Sequence, residues 1–307
     1  MHIGLTIPFP GVSLTELPGL VRRAEAAGYE SLWSEESVTF DGLTPLVVAA
    51  QHSERIRLVS GVVNAYTRGP ALLAQSAAAL AELSGGRFVL GLGASSDVIV
   101  ERWNGYRYER PLSKVRDLVG YLRPVLAGER AAGGFKLARP PAQPVPIVVA
   151  ALRAQMLRLA GEIADGAFTN FLPLGAARRV VETFGAPGKE LACRFFAIPG
   201  PEPEALARAR RFFASYATVP VYSDFFRWLG FGDSIDPLVA AWNAGDRAAA
   251  LELVPEELVR EIFLVGPPGQ QRERLAAFAE AGISTAVLAL LVPEGELAAA
   301  LDAYAPR

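Results

Sequence analysis

The sequence predicts an α/β fold, a (β/α)8 TIM barrel with insertions, the largest of them before the last strand. Eight strand-like segments alternate with helix-like segments over 307 residues, and no shift of composition divides the chain. The strand segments are continuous apolar runs, as expected where both faces of a parallel sheet are covered. The first strand is not followed by the GxGxxG turn that a doubly wound dinucleotide-binding sheet, the runner-up, would want. One barrel domain over 1–307 is expected, with an insertion at about 217–282.

A strand at 3–7 precedes a helix at about 14–27, which Gly28 stops. A strand at 31–34 follows, and Thr44-Pro45 opens a helix running to His52. The third strand is at 56–60, and Pro70 opens the helix to Leu83. Then comes LSGGRFVLGLGASS: a Ser-Gly-Gly turn, a strand at 88–92, and a loop of glycine and small hydroxyl residues. Small residues there let a flat ligand lie close to the backbone. An irregular loop through Trp103 and Tyr108 leads to a helix at 111–126, and a Gly/Pro-rich stretch occupies 133–146. Strands at 146–149, 167–169 and 191–198 alternate with helices at 155–164, 176–184 and 202–216. Residues 217–282 exceed an ordinary βα connection and hold helical segments at 236–244, 256–263 and 270–281. The last strand, at 285–291, leads into a short helix ending at Tyr304.

Hydrophobic residues make up 51% of the chain and charged ones 20%, enough for a full core. A net charge of −2 argues against a nucleic-acid surface. Mean hydropathy is +0.26, but apolar stretches such as 283–293 are too short to span a bilayer. No signal peptide is read at MHIGLTIPFPG, so a soluble, cytoplasmic protein is expected. The single cysteine, Cys193, falls on a strand and reads as core; it permits no internal disulfide. His2 and His52 lie at the N-terminus and on a helix, so neither is placed as metal ligand or base, and no metal site is expected. No serine has a histidine placed to activate it. The pattern suits a holder of a reactive cofactor.

In a barrel the loops after the strand C-termini form the mouth that carries the chemistry. Here those loops supply Glu35, Glu36 and Ser37 after the second strand, and Ser60, Gly61, Val62, Asn64 and Tyr66 around the end of the third. Ala94, Ser95 and Ser96 follow the fourth; Ala150, Ala151, Leu152, Arg153 and Ala154 follow the fifth.

The stretches GYESLWSEES, RIRLVSGVVNAYTRGP, LSGGRFVLGLGASS, VIVERWNGYRYERP, PVPIVVAALRAQMLRLAGEIADG and VGPPGQQRERLAAFAEAGI, in this order, resemble the luciferase-like monooxygenase superfamily. Within it the chain is similar to the coenzyme F420-dependent oxidoreductases. The resemblance implies a deazaflavin lying across the strand C-termini, bound by Ser37, Ser60, Gly61, Val62, Asn64, Ala94, Ser95, Ser96 and Ala150. It also implies a non-proline cis peptide after the third strand, matched here by Gly61-Val62. The phosphate is expected at Ala151, Leu152, Arg153 and Ala154, where free helix N–H groups favour an anion. Arg153 either contacts that phosphate or faces solvent. Many relatives carry Asp-His where this chain has Glu36-Ser37, and sugar-phosphate-oxidising relatives carry a glutamate where it has Ser96. Both differences count against that sugar-phosphate activity.

The expected reaction is hydride transfer between the deazaflavin and a small organic substrate. Glu36 and then Glu35 are the candidates for the accompanying proton. The other reading, which the sequence favours, is that Glu36 only hydrogen-bonds the ring or the backbone. Tyr66 and Arg68 either face substrate or pack the third loop. Tyr216, Tyr222, Phe225, Phe226, Trp228, Phe231 and Trp242 form either a lid or packing, against the barrel or a partner in an expected homodimer. An FMN-dependent monooxygenase or reductase is the first alternative, and a cofactor-binding barrel without turnover the second.

Overall fold

The computed structural model describes residues 1–36, 38–293 and 295–306. Its strands are β1 (His2–Ile7), β2 (Ser31–Ser34), β3 (Arg57–Ser60), β4 (Val63–Asn64), β5 (Phe88–Gly93), β6 (Ile147–Ala150), β7 (Gly166–Asn170), β8 (Glu190–Ile198), β9 (Leu264–Val265) and β10 (Thr285–Leu290). Strands β1, β2, β3, β5, β6, β7 and β8 pair in parallel in that order, and β10 pairs with both β8 and β1. The ring is closed, and the expected eight-stranded barrel is present. Short β4 and β9 are additions at the C-terminal ends of β5 and β8.

Helices α1 (Leu17–Ala26), α2 (Thr44–Gln51), α3 (Pro70–Leu83), α4 (Pro111–Leu126), α5 (Ala154–Ile163) and α6 (Ala177–Phe184) cover the ring. Between β8 and β10 the chain forms α7 (Glu202–Ala217), α8 (Pro220–Leu229), α9 (Gly232–Asn243), α10 (Arg247–Glu252), α11 (Glu256–Ile262) and α12 (Pro268–Glu280). The chain ends with α13 (Leu297–Ala303). Proline stands in the first turn of α1, α2, α3, α4, α7, α8 and α12, where its missing N–H costs nothing and its fixed φ suits the helix. That signal made the starts of α2 and α3 readable.

Side chains alternate across each strand, so one set points into the ring and the other under the helices. The inward set is a cluster of its own: Trp33, Val59, Val89, Val148, Phe168, Ala192 and Val287. Trp33 and Phe168 meet at 4.7 Å between ring centroids and fill the middle of the barrel. Small residues make room for them. A Cβ on Gly4 would stand 3.1 Å from Trp33 Cδ1, and one on Gly61 would stand 3.2 Å from Trp33 Cβ.

At the N-terminal end the ring is plugged by charge. Arg57 of β3 donates two hydrogen bonds to Glu190 of β8, at 3.2 and 3.0 Å, and Thr285 Oγ1 of β10 donates to Glu190 Oε1 at 2.6 Å. His2, paired with Glu30, and His52 also lie at this end, away from the mouth. Cys193 is fully buried in the outer core.

Three local expectations change. The stretch after β5 expected to be irregular contains a π-helical turn, Val98–Trp103, which no hydrophobic period announces. Strand β4 follows the third strand after two residues, too short to read as a strand. In the insertion, α8 and α10 were not foreseen: both stand in the aromatic or charged stretches around the expected segments.

Burial alone would raise the Glu190 carboxyl, but the Arg57 guanidinium and the Thr285 hydroxyl hold it below its ordinary 4.5. A carboxylate held low contributes stability above its unfolded pKa and loses it as pH falls through the folded one. Glu190→Gln is expected to cost about 1–3 kcal/mol in urea unfolding near pH 7. The gap to wild type should close as pH falls below about 4.5.

Candidate active site

At the C-terminal end of the ring, Arg194 of β8 points inward and takes the place of a hydrophobic residue. Its Nη1 donates to Glu35 Oε2 at 2.9 Å and its Nη2 to the Gly61 carbonyl at 2.9 Å, while its Cζ lies 5.5 Å from the Phe168 ring centroid. The Arg194 side chain is 11% exposed and its Nε has no partner among the described residues. A guanidinium this buried must be paired, and it ties β8 to the ends of β2 and β3.

The Gly61 carbonyl belongs to the Gly61-Val62 peptide, which is cis, as the resemblance implied. This bulge drives the chain against β5. Ser60 Oγ donates to the Gly91 carbonyl at 3.0 Å and accepts from Gly91 N at 2.8 Å. A Cβ on Gly91 would overlap the Ser60 carbonyl, and one on Gly93 would stand 2.6 Å from Val62 Cγ2 and 3.3 Å from Ala150 Cβ. The glycines of LGLG are thus required by the bulge beside them. Val62, Gly93 and Ala150 form one low shelf across the ends of β3, β5 and β6.

Glu35 and Glu36 are adjacent in sequence and separated in space. Glu36 faces the rim, where Oε1 accepts from Asn64 N at 3.2 Å and Oε2 from Gly42 N at 3.2 Å. It also forms an ion pair with Arg68, which reaches Asp41 Oδ1 at 3.5 Å. Burial would raise the Asp41 carboxyl, but the Thr44 hydroxyl and the Leu43 and Thr44 N–H groups bonded to it hold it below its usual range. Arg68 therefore serves the third loop and not an open surface. Glu35 is the more accessible of the two, at 35% against 18% for Glu36.

The remaining expected residues gather at the same mouth. Asn64 is 3% exposed; its Oδ1 accepts from Tyr66 N at 2.8 Å, and its Nδ2 has no partner among the described residues. Ala94, Ser95 and Ser96 follow β5. Ser95 adopts φ 63°, and its carbonyl accepts from the Tyr108 hydroxyl at 3.2 Å. Ser96 Oγ accepts from Ile99 N at 3.4 Å at the start of the π-helical turn. Ser37 lies outside the described residues. Ala151 and Leu152 lead into α5, and Arg153 Nη1 is paired with Asp224 Oδ2 of α8 at 3.0 Å. The Tyr66 ring packs on Tyr108 at 5.3 Å, its hydroxyl donates to the Glu109 carbonyl at 2.8 Å, and burial pushes its phenol up to about 12.

Opposite the shelf, the insertion reaches the mouth through two aromatic residues. Tyr216 and Tyr222 pack on Phe171 at 4.9 and 5.1 Å. The Tyr222 hydroxyl accepts from Asn170 Nδ2 at 3.5 Å, and burial pushes its phenol up to about 12. Phe225 and Phe226 are fully buried and serve packing. The aromatic insertion therefore divides: two tyrosines wall the mouth, and its phenylalanines pack α8 against α7, Phe226 on Phe213 at 5.2 Å. Arg194 and Asn170 were missed in the sequence. A lone arginine in the apolar run LACRFFAI, two residues from inward-facing Ala192, was the available signal.

Glu35→Gln is expected to cost about 3 kcal/mol in denaturant unfolding, because it leaves the buried guanidinium unpaired. Arg194→Met added to it should recover part of the loss; additive losses would mean that the pair is uncoupled. Gly91→Ala should cost about 3 kcal/mol by overpacking against Ser60.

The chain's likenesses agree with this arrangement. The family model described as luciferase-like monooxygenase matches residues 1–285. A putative coenzyme F420-dependent oxidoreductase of Mycobacterium tuberculosis is 28% identical over 332 aligned positions, covering 94% of each chain. The coenzyme F420-dependent tetrahydromethanopterin reductase of Methanopyrus kandleri superposes with a TM-score of 0.75 at 21% identity, covering 99% of this chain and 98% of that one. The oxygenating constituent of 3,6-diketocamphane monooxygenase of Pseudomonas putida, solved with FMN, superposes with a TM-score of 0.66 at 21% identity, covering 94% and 92%. With a family match over most of its length and the barrel to go with it, the chain belongs to the luciferase-like monooxygenase family of oxidoreductases.

Proposed function

We propose that this chain is an F420-dependent oxidoreductase that moves a hydride between the deazaflavin and a small organic substrate. The observation that carries the reading is the shelf of Val62, Gly93 and Ala150, held up by the Arg194–Gly61 hydrogen bond. A flat ring system needs such a surface, with no side chain rising from it. Two features of the mouth fit a ring edged with carbonyl groups: the buried Asn64 Nδ2 without a partner, and the start of α5 beside the shelf for a phosphate. When bound, the cofactor would give or take up the hydride. The relative from Mycobacterium tuberculosis, similar along the whole chain, supports F420 over FMN.

In this reading Val62, Gly93 and Ala150 set the plane of the ring, and Ser60 and Arg194 hold that plane fixed from below. Ala94, Ser95 and Ser96 border it on the β5 side, with Gly61 on the other. Ala151, Leu152, Arg153 and Ala154 take the phosphate; Arg153 does so while tied to Asp224 of α8. Glu36 is occupied by Arg68 and two backbone N–H groups, so its role is to fix the rim. Glu35, more exposed and held by one oxygen, is the better placed to hold or pass a proton. Tyr216 and Tyr222 limit the substrate to the space opposite the shelf.

The exposed faces of α2 and α3 carry Val47, Gln51, Leu72, Gln75, Ala79 and Leu83 with few charges, which suits a homodimer contact. The described residues contain no helix long and apolar enough to cross a membrane.

Titration of the purified protein with each cofactor tests the reading. F420 is expected to bind and FMN not to; tight FMN binding without F420 binding would move the assignment to the flavin alternative. Reduced F420 should then be oxidised by at least one member of a panel of enones, imines and carbonyl compounds, or oxidised F420 reduced by an alcohol. Binding without any change of hydride state across the panel would favour a barrel without turnover. Glu35→Gln is expected to lower turnover by about a hundredfold or more, read at saturating F420. Glu36→Gln should weaken stability and cofactor affinity together.

A further inference from the structure

Helices α4 and α5 both begin on the mouth side of the ring, one leading into β6 and the other leaving it. Between them, from their first turns down the length of α5, lies a groove of about 240 Å³ lined by Leu112, Arg116, Gln155, Arg158, Leu159 and Glu162. Gln155 sits in the first turn of α5, so the groove starts where the phosphate of the proposed cofactor would sit. Its far end is shut: Arg123 Nη2 donates to the Ile163 carbonyl at 2.9 Å and to Asp165 at 3.0 Å, joining the two helices lower down.

The charge of this groove is unspent. The guanidiniums of Arg116 and Arg158 have no ion-pair or hydrogen-bond partner among the described residues. Three arginines of the mouth are engaged: Arg194 with Glu35, Arg68 with Glu36 and Arg153 with Asp224. Glu162 is the one carboxylate in the lining, and it stands at the closed end. From Gln155 to Glu162 the helix rises about 10 Å, room for about three residues of an extended chain. Leu112 and Leu159 give the floor an apolar strip on which methylene groups can lie.

We propose that this groove binds the acidic side chain of the deazaflavin, the oligoglutamate beyond its phosphate. The proposal rests on the F420 reading. Arg116 and Arg158 take successive carboxylates, the apolar strip takes the methylenes between them, and Glu162 limits how far the chain descends. The groove thereby separates the tailed deazaflavin from FMN, whose side chain ends at the phosphate.

Equilibrium binding to the intact protein, read by quenching of deazaflavin fluorescence, tests this with three ligands. These are the deazaflavin alcohol without phosphate, the form with phosphate and lactate but no glutamate, and the form with several glutamates. At low salt the glutamylated form is expected to bind about five- to tenfold tighter than the form without glutamate. That advantage should vanish in Arg116→Gln/Arg158→Gln and shrink at about 0.5 M salt, where exposed charges are screened. Both arginines are on exposed helix faces, so the double variant should keep the wild-type melting temperature. Equal affinity for the two phosphorylated forms, or an advantage that survives in the double variant, would overturn the groove and leave the F420 reading standing. Failure of all three ligands to bind would overturn both.

Discussion

A charged side chain inside the barrel governs the mouth. Arg194 takes an inward position two residues beyond the inward Ala192, and a guanidinium there is stable only with acceptors around it. The acceptors come from two other strands: the Glu35 carboxylate and the Gly61 carbonyl. Because the Gly61 carbonyl is one of them, the bulge after β3 is held in one position. Because the bulge is held, Ser60 lies on Gly91 and Val62 on Gly93, and only glycine fits at those two places. The surface on which a flat ligand can rest thus follows from one buried ion pair.

The two carboxylates after β2 show how strand geometry divides labour. Neighbouring residues leave a strand on opposite sides, so Glu35 turns into the ring and Glu36 toward the rim. Glu35 meets the arginine of β8; Glu36 meets Arg68 and the backbone of Gly42 and Asn64. One carboxylate supports the floor from within and keeps an exposed edge. The other gathers the loops after β2 and β3. In chemistry they are the same group, and their surroundings give them different work.

The insertion between β8 and β10 is anchored before it reaches the mouth. Phe225 and Phe226 are buried, Phe226 against Phe213 of α7, and Asp224 of α8 binds Arg153 at the start of α5. Tyr216 and Tyr222 lie against Phe171 beside these anchors, so the wall opposite the shelf meets the barrel at the end of β7. The link from Asp224 to Arg153 joins that wall to the edge where an anion would bind.

The alternation of elements, the apolar strands and the proline-opened α2 and α3 were readable along the chain because local geometry dictates them: a period of residues, a fixed φ, a missing N–H. Most of the candidate mouth residues were readable for a related reason, since parallel barrel strands put every C-terminal loop on one side. Other features depended on contacts between residues far apart in sequence. Nothing near Arg194 shows that its partners are Glu35 and Gly61, and nothing near Glu36 shows that Arg68 takes it up. The π-helical turn and the short β4 carry no periodic signal of their own. The groove between α4 and α5 exists only because two helices 43 positions apart at their first residues lie side by side. Sequence pattern established the scaffold and the side of it on which chemistry occurs. Which polar groups are spent on structure and which remain free was decided by packing in three dimensions, because hydrogen bonds and ion pairs are made between neighbours in space.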